Sequence, residues 1–220
     1  MTGQMSGSAE VDDFIAARSR YVKDELAAAM ARGATQYVVL GVGVDTFDYC
    51  GADSRLRTFV VDYPDAHSGE VAFPASVTFV PTDFERQPLG SALGNAGFAD
   101  AEISFFSWLG VTPYPTAEAA LAALSFIGSR PEGSSVVFDY AVERSSHDSV
   151  WRMAMDAFAS RFARAGEPSR LFLDSRALNV MLRAAGFQEI EDLGPADIDR
   201  RYFTGQAGAA GFAHLVNARV

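Results

Sequence analysis

Two glycines and four charged residues fall where a strand-borne site would need them. In LGVGVDT, Gly41 and Gly43 follow a run of β-branched residues, with Asp45 just beyond. Gly41 permits a sharp turn, and Gly43 lets a ligand approach the backbone with no Cβ in the way. Such a turn also joins ordinary strands to ordinary helices. Asp62 ends FVVDYP, with Tyr63 next to it, 19 residues after Gly43. An acid there can accept hydrogen bonds from both hydroxyls of a ribose, or it can cap a helix. The turn and the acid together favour the ribose. In VPTDFE, Asp83 could accept from an adenine amino group while Phe84 packs on the ring, or cap a helix, in equal balance. Arg18, in RSRY, could pair bidentately with a ligand carboxylate or lie on a solvated helix face. A dinucleotide fingerprint would need a third glycine where Thr46 stands, which speaks against NAD.

These residues need strand ends to hold them. Short apolar runs at 37–43, 58–62, 77–83, 103–110 and 135–142 read as strands. Phe14, Val22, Leu26 and Met30 recur at helical spacing from Asp12 to Arg32, with Gly33 as a stop. Helical patterns follow Pro115, through Leu121, Leu124 and Ile127, and run through Trp151, Met155, Phe158 and Phe162. Another starts after Asp174, as an N-cap, and stops at Gly186. QEIEDLG and FAHLVNARV read as two last strands with a loop between them, an antiparallel hairpin. Alternating strands and helices predict an α/β three-layer sandwich with a mostly parallel sheet. The expected organisation is one domain over 1–220, with residues 1–10 frayed.

In such a sheet, ligands sit beyond the carboxyl ends of the strands. That directs attention to Gly41, Gly43, Asp45, Asp62, Asp83, the stretch from Ser107 to Tyr114, Asp139 and Tyr140. Composition narrows the ligand further. The net charge of −10, with Lys23 the only lysine, offers no cluster for a phosphate backbone or an anionic membrane. Cys50 is the single cysteine, so no intrachain disulfide can form, and a cytoplasmic setting is expected. No metal site is read from the sequence.

The segments ARSRYVKDEL, VVLGVGVDTFDY, VVDYP, VTFVPTDFE, GVTPY and EPSRLFLDSRALNVMLRAAGFQEIEDLGPADIDRRYF resemble the bacterial branch of the leucine carboxyl methyltransferase family. The likeness extends over about residues 14–220. It implies a Rossmann-like class I methyltransferase fold with a seven-stranded sheet, and S-adenosylmethionine as methyl donor. By that resemblance Arg18 would hold the donor's carboxylate, and Gly41 and Gly43 would underlie its methionine portion. Asp62 would bind the ribose, and Asp83 with Phe84 would flank the adenine. Three departures stand out. Leu109 occupies a position where many members carry a glutamate, so a donor contact would fall to the Ser107 or Trp108 backbone. Only 17 residues precede Arg18, and the interval from Tyr63 to Ala75 is short for the helix usual after the second strand.

The implied activity is O-methylation, of a carboxylate or hydroxyl, on a small molecule. The acceptor pocket is expected over the fourth and fifth strand ends, with Tyr114, Tyr140, Trp151, Phe172 and Tyr202 as candidate wall residues. Aromatics on a helix stripe, such as Trp151, equally suit a core. A carboxylate acceptor needs no base, and no catalytic base is nominated; His147 is an isolated loop histidine. A non-catalytic binding protein and a nicotinamide oxidoreductase are the competing readings. A homodimer could supply closure.

Overall fold

The computed structural model describes residues 6–41, 53–64, 73–84, 86–110, 117–141, 174–203 and 213–220. Helix α1 (Ser6–Ala31) leads into strand β1 (Gln36–Leu40). Strands β2 (Arg57–Asp62) and β3 (Val77–Pro81), helix α2 (Leu89–Asn95) and strand β4 (Ser104–Trp108) follow. Helix α3 (Ala117–Gly128), strand β5 (Ser135–Ala141), helix α4 (Ser175–Ala185) and strand β6 (Glu189–Leu193) continue the alternation. Helix α5 (Pro195–Tyr202) and strand β7 (Ala213–Arg219) end it. The strands form one seven-stranded sheet in the order β3-β2-β1-β4-β5-β7-β6. β1 to β5 are parallel, and β7 runs antiparallel between β5 and β6. The expected α/β sandwich and its terminal antiparallel pair are both present.

The parallel strands were readable because a strand buried on both faces is a continuous apolar run. β1, QYVVL, and β4, SFFSW, are buried at every position. Side chains alternate between two cores. Tyr37, Val39, Val60, Phe105 and Val137 meet α1 through Phe14, Ala17, Tyr21 and Val22, with Ile198 of α5. Val38, Leu40, Phe59, Phe106 and Phe138 meet α2, α3 and α4 through Leu93, Leu124, Ile127, Leu178 and Leu182.

Asp174 caps α4 as expected, its side chain accepting from the Arg176 and Ala177 backbone N–H groups. Gly186 ends the helix at φ 114°. Gly186 also abuts Gly128 at the end of α3. A Cβ on Gly128 would lie 2.0 Å from the Ala185 carbonyl oxygen, so this helix crossing tolerates no side chain there.

Three element readings need correction. α1 starts at Ser6, earlier than Asp12, because an established helix gains one hydrogen bond for each residue it adds, which carries it through residues of poor propensity such as Gly7. α2 and α5 were not foreseen. LGSALGN contains two glycines, and PADIDRRY buries only Ile198. Thus a helix, with Pro195 at its first turn, occupies the stretch read as a loop between the last strands. The pattern through Trp151 and Phe162 lies outside the described residues. Among the described residues, no helix is long and apolar enough to cross a membrane.

Candidate active site at the carboxyl edge

β1 stops at Leu40, and Gly41 turns the chain with φ 79°, a backbone state that other residues rarely adopt. Its N–H donates to the Val61 carbonyl at 2.8 Å, tying the turn to β2. Asp62, the last residue of β2, is buried, and its Oδ1 accepts from the Tyr63 N–H at 2.7 Å. The Asp62 carbonyl also receives the Thr82 N–H at 2.8 Å, so the ends of β2 and β3 are locked together.

Just past β3, Phe84 is buried in the α2 side of the core, edge-on to Tyr63 with ring centroids 5.4 Å apart. Asp83 remains partly exposed. Its carbonyl accepts from the Arg86 and Gln87 N–H groups, and its carboxylate lies 3.5 Å from Arg86 Nε. α2 begins only at Leu89, with Pro88 at its N-cap position, so Asp83 does not cap that helix.

At β4, Ser107 and Trp108 face opposite ways. Ser107 Oγ lies 2.8 Å from the Tyr37 hydroxyl on the α1 side, whereas Trp108 packs on the α2 side beside Phe138. Leu109 packs against the α1-side core.

Arg18 belongs to this edge as well. α1 runs back along the sheet, which brings its guanidinium to the end of β5. There Arg18 NH1 donates to Asp139 Oδ2 at 3.3 Å, and both residues are 5% exposed. Asp139 Oδ1 accepts the Gly110 N–H at 2.7 Å, so one carboxylate links α1, β5 and the turn after β4. Burial pushes the Asp139 carboxyl up from its ordinary range, and Arg18 and the Gly110 N–H pull it back. The alternative of a solvated helix face for Arg18 is thereby removed.

The remaining sequence candidates are distributed differently. Tyr140 is buried with its hydroxyl 2.7 Å from Asp192 Oδ2, 2.8 Å from Ser175 Oγ and 3.2 Å from His214 Nδ1. His214 Nδ1 lies 2.8 Å from Asp192 Oδ1. Burial, reinforced by Asp192 and opposed by the Ser175 hydrogen bond, raises the Tyr140 phenol. Tyr202 is clasped to the middle of α1. Its hydroxyl donates to Asp24 at 3.3 Å, and its ring lies under Arg20 and Arg201. Tyr202 thus meets α1 between Arg20 and Asp24, on the flank beyond Arg18. Gly43, Asp45, Tyr114, Trp151 and Phe172 lie outside the described residues.

Sequence reading missed the Asp192–His214 pair and the Arg18–Asp139 link. Asp139 stood out as a strand-end acid, but its partner is 121 residues away. Nothing in local periodicity joins the two.

Residues 2–128 match the profile of the leucine carboxyl methyltransferase family. The YktD protein of Bacillus subtilis (strain 168), named provisionally as an S-adenosyl-L-methionine-dependent methyltransferase, is 32% identical over 204 residues. That alignment covers 86% of this chain, and the chain spans 65% of YktD's length. A Thermobifida fusca YX structure, described provisionally as a methyltransferase, superposes with a TM-score of 0.65 at 13% identity. The superposition covers 96% of this chain and 81% of that one. Haemonchus contortus phosphoethanolamine N-methyltransferase 2, solved with phosphomonomethylethanolamine and S-adenosylhomocysteine, gives a TM-score of 0.53 at 12% identity, covering 89% of this chain and 52% of that one. The sheet order and these likenesses define a class I methyltransferase fold. Within that class, the chain belongs to the leucine carboxyl methyltransferase family.

Proposed function

We propose that the chain is an S-adenosylmethionine-dependent methyltransferase that methylates an oxygen of a small molecule. One observation carries the reading: the order of groups along the carboxyl edge. Asp83 and Phe84 stand at β3, Asp62 and Tyr63 at β2, Gly41 at β1, and Arg18 by the ends of β4 and β5. The donor's adenine, ribose, methionine chain and carboxylate follow one another in the same order. From β3 to β4 is three strand spacings, about 14 Å, enough for such a ligand laid across the edge.

In this reading Asp62 accepts from the ribose hydroxyls, and the turn at Gly41 leaves room for the methionine chain. Tyr63, Phe84 and the partly exposed Asp83 receive the adenine. Arg18 reads the carboxylate. When bound, the donor would supply an electrophilic methyl on a sulfonium, open to in-line displacement by an ionised acceptor oxygen with the thioether as leaving group. The protein's contribution is to bring that oxygen within about 3–3.5 Å of the methyl carbon and to exclude water. The acceptor belongs over the ends of β4 and β5. A cytoplasmic setting is part of the proposal, on the strength of Cys50 as the single cysteine.

A second reading, donor binding without turnover, draws on Leu109. It places an apolar, partly buried side chain against the α1 core at a strand end that otherwise carries polar groups. Calorimetric titration with S-adenosylmethionine, S-adenosylhomocysteine and NAD tests the donor assignment. Micromolar binding of the adenosyl amino acids and none of NAD is the expected result; binding of NAD alone would overturn it. Methyl release on incubation with carboxylate and phenol panels then separates turnover from mere binding.

A further inference from the structure

The carboxyl edge holds a second polar group, on the opposite face of the sheet from Asp139. Strand β7 runs antiparallel to β5 and sets His214 opposite Tyr140, one residue short of the end of β5. Both face the side that carries Trp108 and Phe138. Asp192 of β6 and Ser175, the first residue of α4, complete the group. A neutral imidazole has one proton to place between two nitrogens, and its neighbours decide where. The Asp192 carboxylate can only accept. Its Oδ1 lies 2.8 Å from His214 Nδ1, and its Oδ2 receives the Tyr140 hydroxyl at 2.7 Å. Burial, above all, raises the Tyr140 phenol, so that proton stays on its oxygen. The imidazole proton is therefore held on Nδ1, and Nε2 keeps its lone pair.

Among the described residues Nε2 has no hydrogen-bond partner, and the side chain is 19% exposed. The ring lies beside the backbone of Gly194, where a Cβ would sit 3.3 Å from Cε1 and 3.5 Å from Nε2. Gly194 has φ −75°, which any residue adopts, so its missing side chain matters for the space beside the ring. One nitrogen is tied to the fold. The other is bare, at strand ends where an acceptor is expected.

We propose that His214 is the base for a protic acceptor: Nε2 takes the proton of a hydroxyl, and Asp192 fixes the tautomer that allows it. The inference rests on the donor reading above and deepens it. It selects a phenol or alcohol over a carboxylate, which is already ionised and has no proton to lose. As the acceptor oxygen bonds the methyl carbon, its proton passes to Nε2, and the electron pair of the broken sulfur–carbon bond stays on sulfur. The imidazolium so formed is balanced by Asp192 and returns its proton to water.

Nitrogen NMR of the imidazole, on the full chain at about pH 8, above the ordinary imidazole range, reads the tautomer directly. The His214 signal is assigned by its loss in His214→Asn, whose amide N–H can still donate to Asp192. The expected form is Nδ1–H with a bare Nε2; an Nε2–H, in a neutral or a charged ring, overturns the proposal. Phenol and benzoate are then titrated in, with and without S-adenosylhomocysteine. Phenol should move the Nε2 resonance and benzoate should leave it in place. No response up to the solubility limit of phenol overturns the hydroxyl assignment, and so does any response to benzoate. With a phenol that the chain methylates, His214→Asn should lower kcat about a hundredfold or more, as loss of a general base does. Its S-adenosylhomocysteine affinity should stay within about twofold, a few tenths of a kcal/mol. An unchanged kcat, or an equal loss of that affinity, is contrary. If the chain binds no S-adenosylhomocysteine, the donor reading fails by itself, because the tautomer and its response to phenol are read without that ligand.

Discussion

The two edges of the sheet both carry a buried polar residue next to an arginine, yet they are wired differently. At the amino edge, Gln36 is fully buried and its amide is closed on itself. Nε2 donates to the Ala99 carbonyl and Ser104 Oγ, while Oε1 accepts from the Ala99 N–H and from Arg57. Arg57 goes on to Gly97 and Glu102, and Thr35 donates to the same Glu102 oxygen. This network joins β1, β2 and β4 into one seam. At the carboxyl edge, Arg18 and Asp139 instead bring a formal charge pair to the side where strand ends, turns and Asp62 converge. A closed amide seam spends its hydrogen bonds on the fold. A buried charge pair at the carboxyl edge sits instead on the side where α/β sheets hold their ligands. The contrast predicts that the same residue types serve stability at one edge and affinity at the other.

Mutations can break that contrast. The largest expected effect is from Arg18→Met, which strands the buried Asp139 carboxylate. It should cost about 3 kcal/mol or more in urea unfolding, together with the adenosyl ligand. Gln36→Leu should destabilise by about 1–3 kcal/mol, since it takes the acceptor from the Ala99 N–H and a donor from the Ala99 carbonyl, while Arg57 keeps Gly97 and Glu102. Its S-adenosylhomocysteine affinity should nevertheless match that of the unmodified chain; a parallel loss would erase the distinction between the edges. Asp62→Ala should do the reverse, weakening S-adenosylmethionine at least about tenfold, or about 1.4 kcal/mol, with little change in Tm. Unchanged affinity would remove Asp62 from the ribose.

The smallest effect concerns pH at the amino edge. The Thr35 hydrogen bond, then Arg57, lowers the Glu102 carboxyl below its ordinary value. A carboxyl depressed on folding stabilises the protein above its unfolded pKa, and the contribution disappears as pH falls through the folded one. Stability should therefore show a component that fades below the ordinary glutamate range. Urea titrations across that range should show it missing in Glu102→Gln.

Much of the framework was legible before any coordinates. Buried parallel strands announce themselves as runs such as YVVL and TFVV, and Asp174 and Gly186 bracket α4 with the chemistry of helix ends. Short elements with weak periodicity escaped, as α2 with its glycines and α5 with one buried residue show. The strand-end positions expected for Gly41, Asp62 and Asp83 are the ones they occupy, because each sits where an apolar run stops. What the strand-end rule could not find were partnerships made by tertiary packing. Arg18 meets Asp139 only because α1 folds back over β5, and Asp192 meets His214 only through the β6–β7 register. Tyr202 was placed with the acceptor for its ring, but its ring lies under two arginines on the α1 flank.

Backbone hydrogen exchange, with and without saturating S-adenosylhomocysteine, tests the contrast between the edges most directly. Slower exchange at Gly41, Asp62, Tyr63, Asp83, Phe84 and Gly110, with Gln36, Arg57 and Ala99 unaltered, is the result this account predicts. Protection confined to the amino edge, or absent from the strand ends while ligand is bound, would contradict it.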